Sequence, residues 1–173
     1  MKILDNINHT VREDLQDTMQ KGSRVSIAAA CFSIYAYQEL KKQLEEIAEL
    51  RFIFTSPTFV QENTPKERRE FYIPKLTREK SLYGTEFEVR LRNELTQKAL
   101  AKECADWVRR KVKFRSNVSG EQMPGFMTVG ESSYMPISGF TTVDLGCERG
   151  NNAYYPVQRT EAFENGRYFL SLF

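Results

Sequence analysis

The chain has 173 residues, of which 40% are hydrophobic and 28% are charged, and its formal net charge is +2. This length and balance predict one domain over residues 1–173 that buries enough apolar surface to fold without a metal or a disulfide. No stretch comes near the roughly 20 apolar residues of a membrane-spanning helix, and the charged residues 1–17 lack the apolar core of a signal peptide, so we expect a cytoplasmic protein.

The first predicted elements are an amphipathic helix and a buried strand. Residues 11–20 carry apolar side chains at helical spacing, and Gly22 follows them as a stop signal. Residues 25–32 form a short and continuously apolar run, which is typical of a strand buried on both faces.

A second strand then follows a helix. Ser33 is placed to cap a helix over residues 35–49, and residues 50–55 form a strand that Pro57 ends. A strand, a helix and a strand in this order build a parallel pair with the helix packed on the sheet. The sequence therefore predicts an α/β fold.

The middle of the chain changes character. Prolines and a dense run of charges fill residues 57–84, which predicts a long surface excursion. A long helix follows, from the capping-box pair Thr85 and Glu88 to about Val112.

The remaining third is mostly β in pattern. Short strand candidates, separated by Gly, Ser and Asn, occupy residues 112–118, 125–129, 134–137 and 140–145. Residues 160–173 predict a helix that ends on an apolar run. This segment is either the start of a connecting helix in a chain cut from a longer protein, or a terminal helix that docks on the domain's own core.

The three cysteines lie far apart and form no CxxC pair, which excludes zinc-knuckle and thioredoxin-like motifs. Cys31 lies in an apolar run and Cys104 falls in a helical pattern, so both are expected as small core residues. An odd count, completed by Cys147, fits a reducing compartment.

Little catalytic chemistry is available. The single histidine, His9, precedes the first helix and is expected on the surface, so chemistry that needs two imidazoles is excluded from one chain. The phosphate-binding loop of nucleotide-driven motors does not occur. Carboxylates such as Glu39, in E-x-K spacing with Lys41, or Asp144 leave open a metal-dependent nuclease.

The charges are unevenly distributed. Residues 62–115 hold 15 Lys and Arg against 9 Asp and Glu, an excess of six positive charges in a nearly neutral chain. Such a region either attracts phosphate backbones or forms solvated helix faces, and basic residues in a last helical turn also suit the helix dipole. If the region binds nucleic acid, the predicted contacts are Arg68, Arg69, Arg90, Arg92, Arg109, Arg110, Lys111 and Arg115.

The amino-acid sequence resembles that of the amino-terminal phospholipase D-like domain of some bacterial superfamily-two DNA/RNA helicases. The stretches that carry the resemblance are residues 26–35, 81–88, 90–98, 103–107 and 139–146, so it spans essentially the whole chain. It implies a phospholipase D-like sandwich, in which a mixed sheet is flanked by helices. It also implies a helicase motor in the same protein beyond this segment, with ATP and Mg²⁺ bound by that motor and no cofactor bound here.

The resemblance implies a degenerate catalytic site. Enzymes of the family use an H-x-K-x4-D motif, in which His attacks phosphorus and Lys binds the phosphoryl oxygens. Here Val11 stands where His9 would require the Lys, so no catalytic residue is carried over. The expected function is a non-catalytic accessory domain that binds nucleic acid or a partner to position the motor. The alternative is a dimerisation or protein-interaction module, since family members often pair through this domain.

Overall fold

The computed structural model describes residues 1–55, 86–119, 121–148 and 156–161, and for residues 86–95 it describes the backbone alone. This part of the chain is a mixed α/β fold built on an open sheet of seven strands. No helix among the described residues is both long and apolar enough to cross a membrane.

The sheet has the order β1-β7-β6-β5-β2-β3-β4. Its strands are β1 (Lys2–Leu4), β2 (Arg24–Ala29), β3 (Glu49–Phe54), β4 (Val112–Ser116), β5 (Phe126–Val129), β6 (Ser132–Met135) and β7 (Val157–Glu161). The described helices are α1 (Val11–Thr18), α2 (Ile34–Glu39), α3 (Lys41–Glu46) and α4 (Glu86–Lys111). β2, β3 and β4 run parallel, and the other neighbouring strands are antiparallel.

The four helices share one core with one face of the sheet, which we call the helix face. Trp107 of α4 is fully buried in this core, and its indole Nε1 donates a hydrogen bond of 2.9 Å to the carbonyl of Leu44. Its ring lies 5.0 Å from that of Tyr37 on α2 and 6.4 Å from that of Phe32. Trp107 therefore joins three helices to the end of β2.

The opposite side of the sheet, the second face, has a smaller apolar centre. Ala28, Ile53 and Phe126 are buried there, and Met123 and Met135 pack against them. Because successive side chains of a strand point to opposite faces, the neighbours of these residues on β2, β3 and β5 point into the helix-face core.

Several predicted elements are confirmed. The predicted helix over residues 11–20 is α1, which ends two residues earlier, and Gly22 follows it in the left-handed region with φ +80°. The predicted strands over residues 25–32 and 50–55 are β2 and β3, and they pair in parallel. The long helix ends at Lys111 as expected, although Thr85 of its predicted capping box lies outside the described residues.

The predicted helix over residues 35–49 is wrong as one element. Ser33 caps α2 by accepting the amide of Tyr35, as predicted, but Leu40 adopts φ −115° and ψ 13° and separates α2 from α3. Leu40 and Leu44 are both fully buried, so the break lets each short helix turn its own apolar side toward the core. Glu49 belongs to β3 instead of the helix.

Two predictions for the carboxyl-terminal third are also wrong. Residues 140–145 form no strand: Phe140 makes a single bridge to Phe32 and the chain then turns. Thr160 and Glu161 end strand β7 and do not begin a helix, because β7 is held between β6 and β1. The predicted excursion over residues 57–84 and the rest of the terminal segment, residues 162–173, lie outside the described residues.

A buried carboxylate ties the amino terminus to this end of the sheet. Asp14 of α1 has a side chain that is 2% exposed, and it accepts hydrogen bonds from Lys2 Nζ at 2.6 Å and Tyr134 Oη at 2.9 Å. Arg159 of β7 adds an ion pair of 3.1 Å. Burial opposes ionisation of Asp14, but the hydrogen bonds from Lys2 and Tyr134 and the charge of Arg159 outweigh it and hold the pKa of Asp14 below its ordinary value.

The Asp14→Ala variant is expected to lose about 3 kcal/mol of unfolding free energy, because it leaves the half-buried Arg159 without its main counter-charge. Denaturant unfolding followed by the fluorescence of Trp107, the only tryptophan, measures this loss. The matched control is Asp17→Ala on the exposed side of α1, which should change the free energy by less than about 0.5 kcal/mol.

The loss should also depend on pH. Since the folded pKa of Asp14 is lowered, its contribution is complete above its ordinary value of 3.8 and disappears as the pH falls through the lower folded value. The gap between wild type and Asp14→Ala should therefore narrow from pH 7 to pH 3. Equal losses in the Asp14 and Asp17 variants would show that the buried carboxylate does not stabilise the fold.

Candidate functional site

Charged residues alternate with apolar ones along β3 and β4. Leu50 and Phe52 of β3 and Phe114 of β4 point into the helix-face core. Their neighbours Glu49, Arg51, Lys113 and Arg115 therefore lie together on the second face, at one end of the sheet.

The strand register places these charges side by side. Arg51 pairs with Lys113, Ile53 pairs with Arg115, and Arg24 at the start of β2 pairs with Glu49. The carboxylate of Glu49 accepts hydrogen bonds from Arg51 Nε and from Lys113 Nζ, the latter at 3.0 Å. These two hydrogen bonds lower the pKa of Glu49, so the carboxylate is ionised at neutral pH.

We call this assembly the β2–β4 basic cluster, and it consists of Arg24, Arg51, Lys113 and Arg115 around Glu49. Four cations and one carboxylate give it a net charge of +3. Lys113 is 72% exposed, Arg51 is 31% exposed and Arg24 and Arg115 are also exposed, so solvent and a bound anion can reach all four cations.

The structure divides the basic residues that the sequence predicted. Arg115 belongs to the β2–β4 basic cluster, while Arg109, Arg110 and Lys111 form the last turn of α4. Arg90 and Arg92 lie in the amino-terminal half of α4, where only the backbone is described, and Arg68 and Arg69 lie outside the described residues.

The basic side chains in the last turn of α4 are already bonded to other groups of the same chain. Arg109 pairs with Asp106 at 2.7 Å and Arg110 pairs with Glu45 at 3.2 Å. Lys111 Nζ donates a hydrogen bond of 2.6 Å to the carbonyl of Ile47. The three positive charges of this turn therefore face two negative charges, and the net charge of the group is +1.

Three members of the cluster, Arg24, Arg51 and Lys113, were missed by sequence reasoning. The sequence signal was present, because Glu49 and Arg51 are two residues apart in one strand and Lys113 and Arg115 are two apart in another. Spacing by two places side chains on one face of a strand. Only the register of β2, β3 and β4 shows that these pairs meet.

The carboxyl ends of the parallel strands are the usual ligand edge of an α/β sheet. Asn117, which follows β4, is buried there, and its Nδ2 donates to the carbonyls of Thr55 at 3.3 Å and Glu121 at 2.8 Å. Its Oδ1 accepts the hydroxyl of Ser119 at 2.7 Å. Within the described residues, the Asn117 side chain at this part of the edge is therefore engaged in hydrogen bonds to neighbouring groups of the chain.

Cys31 lies at the same edge, beyond the end of β2, and the prediction that it is a core residue is wrong. Cys31 is exposed, because β2 ends at Ala29 and the chain then turns to pair with the segment around Phe140. The surrounding protein still removes part of the water from its sulfur, and this partial desolvation and the negative charge of Asp144 raise the pKa of the thiol. Cys104 is buried as predicted, and burial raises the pKa of its thiol to about 11.

The carboxylates considered for a metal-dependent nuclease have partners of their own. The Glu39 carboxylate forms an ion pair with Arg12, with 3.0 Å between Glu39 Oε2 and Arg12 Nε. Burial raises the pKa of Asp144, which accepts the hydroxyl of Thr141. His9 is exposed, as expected. The described residues contain no group of three or more His, Cys, Asp and Glu side chains that could hold a metal ion.

Comparison with protein-family models, with curated proteins and with solved structures found no match for this chain. The phospholipase D-like assignment therefore remains a resemblance of the sequence. What the structure establishes is the mixed α/β sheet, on which the β2–β4 basic cluster is formed.

Thiol labelling tests the placement of the cysteines. We expect iodoacetamide to modify Cys31 first in the folded protein, while Cys104 stays protected, because only Cys31 is exposed. The rate should rise with pH, since the thiolate reacts and its pKa is raised. Peptide mass spectrometry after timed labelling at two pH values measures both effects.

The Asp144→Asn variant serves as the electrostatic comparison. It removes the negative charge beside Cys31 and should accelerate labelling at neutral pH by less than about tenfold, since burial contributes more to the raised pKa than this charge does. Labelling of Cys104 before Cys31 in the folded protein would contradict the structure at the end of β2.

Proposed function

We propose that this chain is a non-catalytic accessory domain that binds the phosphate backbone of nucleic acid through the β2–β4 basic cluster. The observation that carries the proposal is the arrangement of four cations, three exposed and one partly buried, around a single carboxylate on one face of the sheet. In the longer protein that the sequence resemblance implies, this domain positions nucleic acid for an ATP-dependent helicase motor.

The geometry of the cluster suits a chain of phosphates. Neighbouring strands are about 4.8 Å apart, and residues two apart along a strand are separated by roughly 6.6 Å. Lys113 and Arg115 therefore offer two successive cations along β4, and Arg51 offers a third from the next strand. Long basic side chains neutralise phosphates without reading base edges, so the expected binding is independent of sequence and sensitive to salt.

The last turn of α4 supports this function less well. Its three basic side chains are already bonded to Asp106, Glu45 and the carbonyl of Ile47, and they keep one uncompensated charge. The β2–β4 basic cluster has three uncompensated positive charges. A phosphate backbone thus gains more attraction, and displaces fewer internal partners, at the cluster.

The Lys113→Gln/Arg115→Gln double variant is expected to bind single- and double-stranded DNA on the order of tenfold more weakly than wild type at low salt, and the slope of log affinity against log salt should fall by about two phosphate contacts. Fluorescence anisotropy of labelled oligonucleotides at several salt concentrations measures both quantities.

Two matched variants locate the surface. Lys98→Gln/Lys102→Gln removes the same charge from exposed positions of α4 and should leave affinity and slope nearly unchanged. Arg109→Gln/Arg110→Gln should weaken binding less than the cluster variant does. Absence of DNA binding by wild type at low salt, or equal losses in all three variants, would overturn the proposal.

The alternative, a dimerisation module, is favoured by a different observation. Among the described strands β1 is an edge of the sheet, and it leaves Ile3 53% exposed, with Ile7 69% exposed in the loop beyond it. An edge strand with exposed apolar side chains is suited to pair with a strand of a second copy.

Light scattering coupled to size exclusion tests this alternative. A dimer formed through β1 should become a monomer in the Ile3→Lys variant, because a charge at the pairing edge opposes strand addition. A monomeric wild-type chain, or a dimer that survives the substitution, would exclude pairing through β1.

A further inference from the structure

Glu49 lies in the middle of the cations that are proposed to bind phosphate. Its carboxylate contacts Arg51 Nε and Lys113 Nζ, and in the strand register it faces Arg24. It is the only acidic residue in β2, β3 and β4. A carboxylate that bridges two basic side chains occupies the place that a phosphate oxygen would take.

We infer that Glu49 is an internal competitor that keeps the β2–β4 basic cluster closed to single phosphates and opens it only to a polyanion. The inference rests on the proposed function, because it describes how the same cluster is regulated. The competitor is part of the strand, so it is present at the site at a fixed and high effective concentration.

The competition has a physical basis in charge. A phosphodiester carries one negative charge, as the Glu49 carboxylate does, so one phosphate gains little by replacing it at Arg51 and Lys113. A nucleic acid strand also reaches Arg24 and Arg115, for which the described structure shows no hydrogen bond to Glu49, and the added attractions favour exchange.

The competition also affects salt dependence. The nucleic acid releases condensed cations when basic side chains neutralise its phosphates. In wild type, the Glu49 carboxylate stays beside Arg51 and Lys113 and offsets part of their charge, so fewer phosphates are fully neutralised. Without that negative charge, Arg51 and Lys113 neutralise phosphates more completely and the nucleic acid releases more cations. The variant should therefore bind more tightly and with a steeper dependence on salt.

The test compares Glu49→Gln with Glu131→Gln, which makes the same charge change at an exposed position in the turn between β5 and β6. We expect Glu49→Gln to bind a labelled single-stranded oligonucleotide roughly fivefold to tenfold more tightly than wild type, with a salt slope larger by about one contact. Glu131→Gln should change affinity less than about twofold. Inorganic phosphate should compete measurably with the oligonucleotide only on Glu49→Gln.

Two further measurements keep the result interpretable. Glu49→Asp preserves the charge and should change affinity less than Glu49→Gln does, which separates the loss of charge from a change of side chain. Unfolding followed by Trp107 fluorescence should show that Glu49→Gln is folded, since Lys113 is largely exposed and its ion pair contributes little to stability.

The outcomes separate the two proposals. If wild type binds and loses affinity in Lys113→Gln/Arg115→Gln, but Glu49→Gln behaves as Glu131→Gln does, the competitor is overturned and the nucleic-acid function stands. If neither wild type nor Glu49→Gln binds the oligonucleotide at low salt, both proposals are overturned.

Discussion

The register of β2, β3 and β4 is the constraint on which the rest of the structure depends, and aromatic packing on the helix face fixes it. The ring of Phe52 lies 4.8 Å from that of Phe54 and 5.6 Å from that of Phe114, and Phe32 packs edge-on against Phe52. Trp107 covers this group from α4. A slip of one residue in either strand would move its aromatic side chains to the second face and would expose them, so the packing admits one register.

The proposed site is a consequence of that constraint. Once Phe52 and Phe114 point toward the helices, their neighbours must point the other way, and three of these four neighbours, Arg51, Lys113 and Arg115, are charged. Packing of the core on the helix face is therefore sufficient to bring the charged side chains of the β2–β4 basic cluster together on the second face. Glu49 is placed in the cluster by the same alternation, so the attraction for phosphate and the competition against it have one structural origin.

Elements with strong local patterns were predictable from the sequence, and those that depend on distant partners were not. The apolar run of β2 and the periodic pattern of α4 determine their type locally. β1 has three residues and is held by β7, a pairing across most of the chain that no local pattern reveals.

The break at Leu40 and the exposure of Cys31 follow from how the chain packs after β2. The predicted basic region contains Arg115 and Lys113, but Arg24 and Arg51 lie outside it and meet them only through strand pairing.

Nucleic-acid binding at the β2–β4 basic cluster can be tested by covalent trapping of lysines with an oligonucleotide that contains an abasic aldehyde. Borohydride reduction fixes the adducts, and peptide mass spectrometry locates them. Lys113 belongs to the β2–β4 basic cluster, whereas Lys111, two residues earlier, is bonded to the carbonyl of Ile47. If the β2–β4 basic cluster binds the phosphate backbone, trapping should occur mainly on Lys113 and should be suppressed by salt. Trapping mainly on Lys111 or on the α4 lysines Lys98 and Lys102, with Lys113 unmodified, would contradict this proposal.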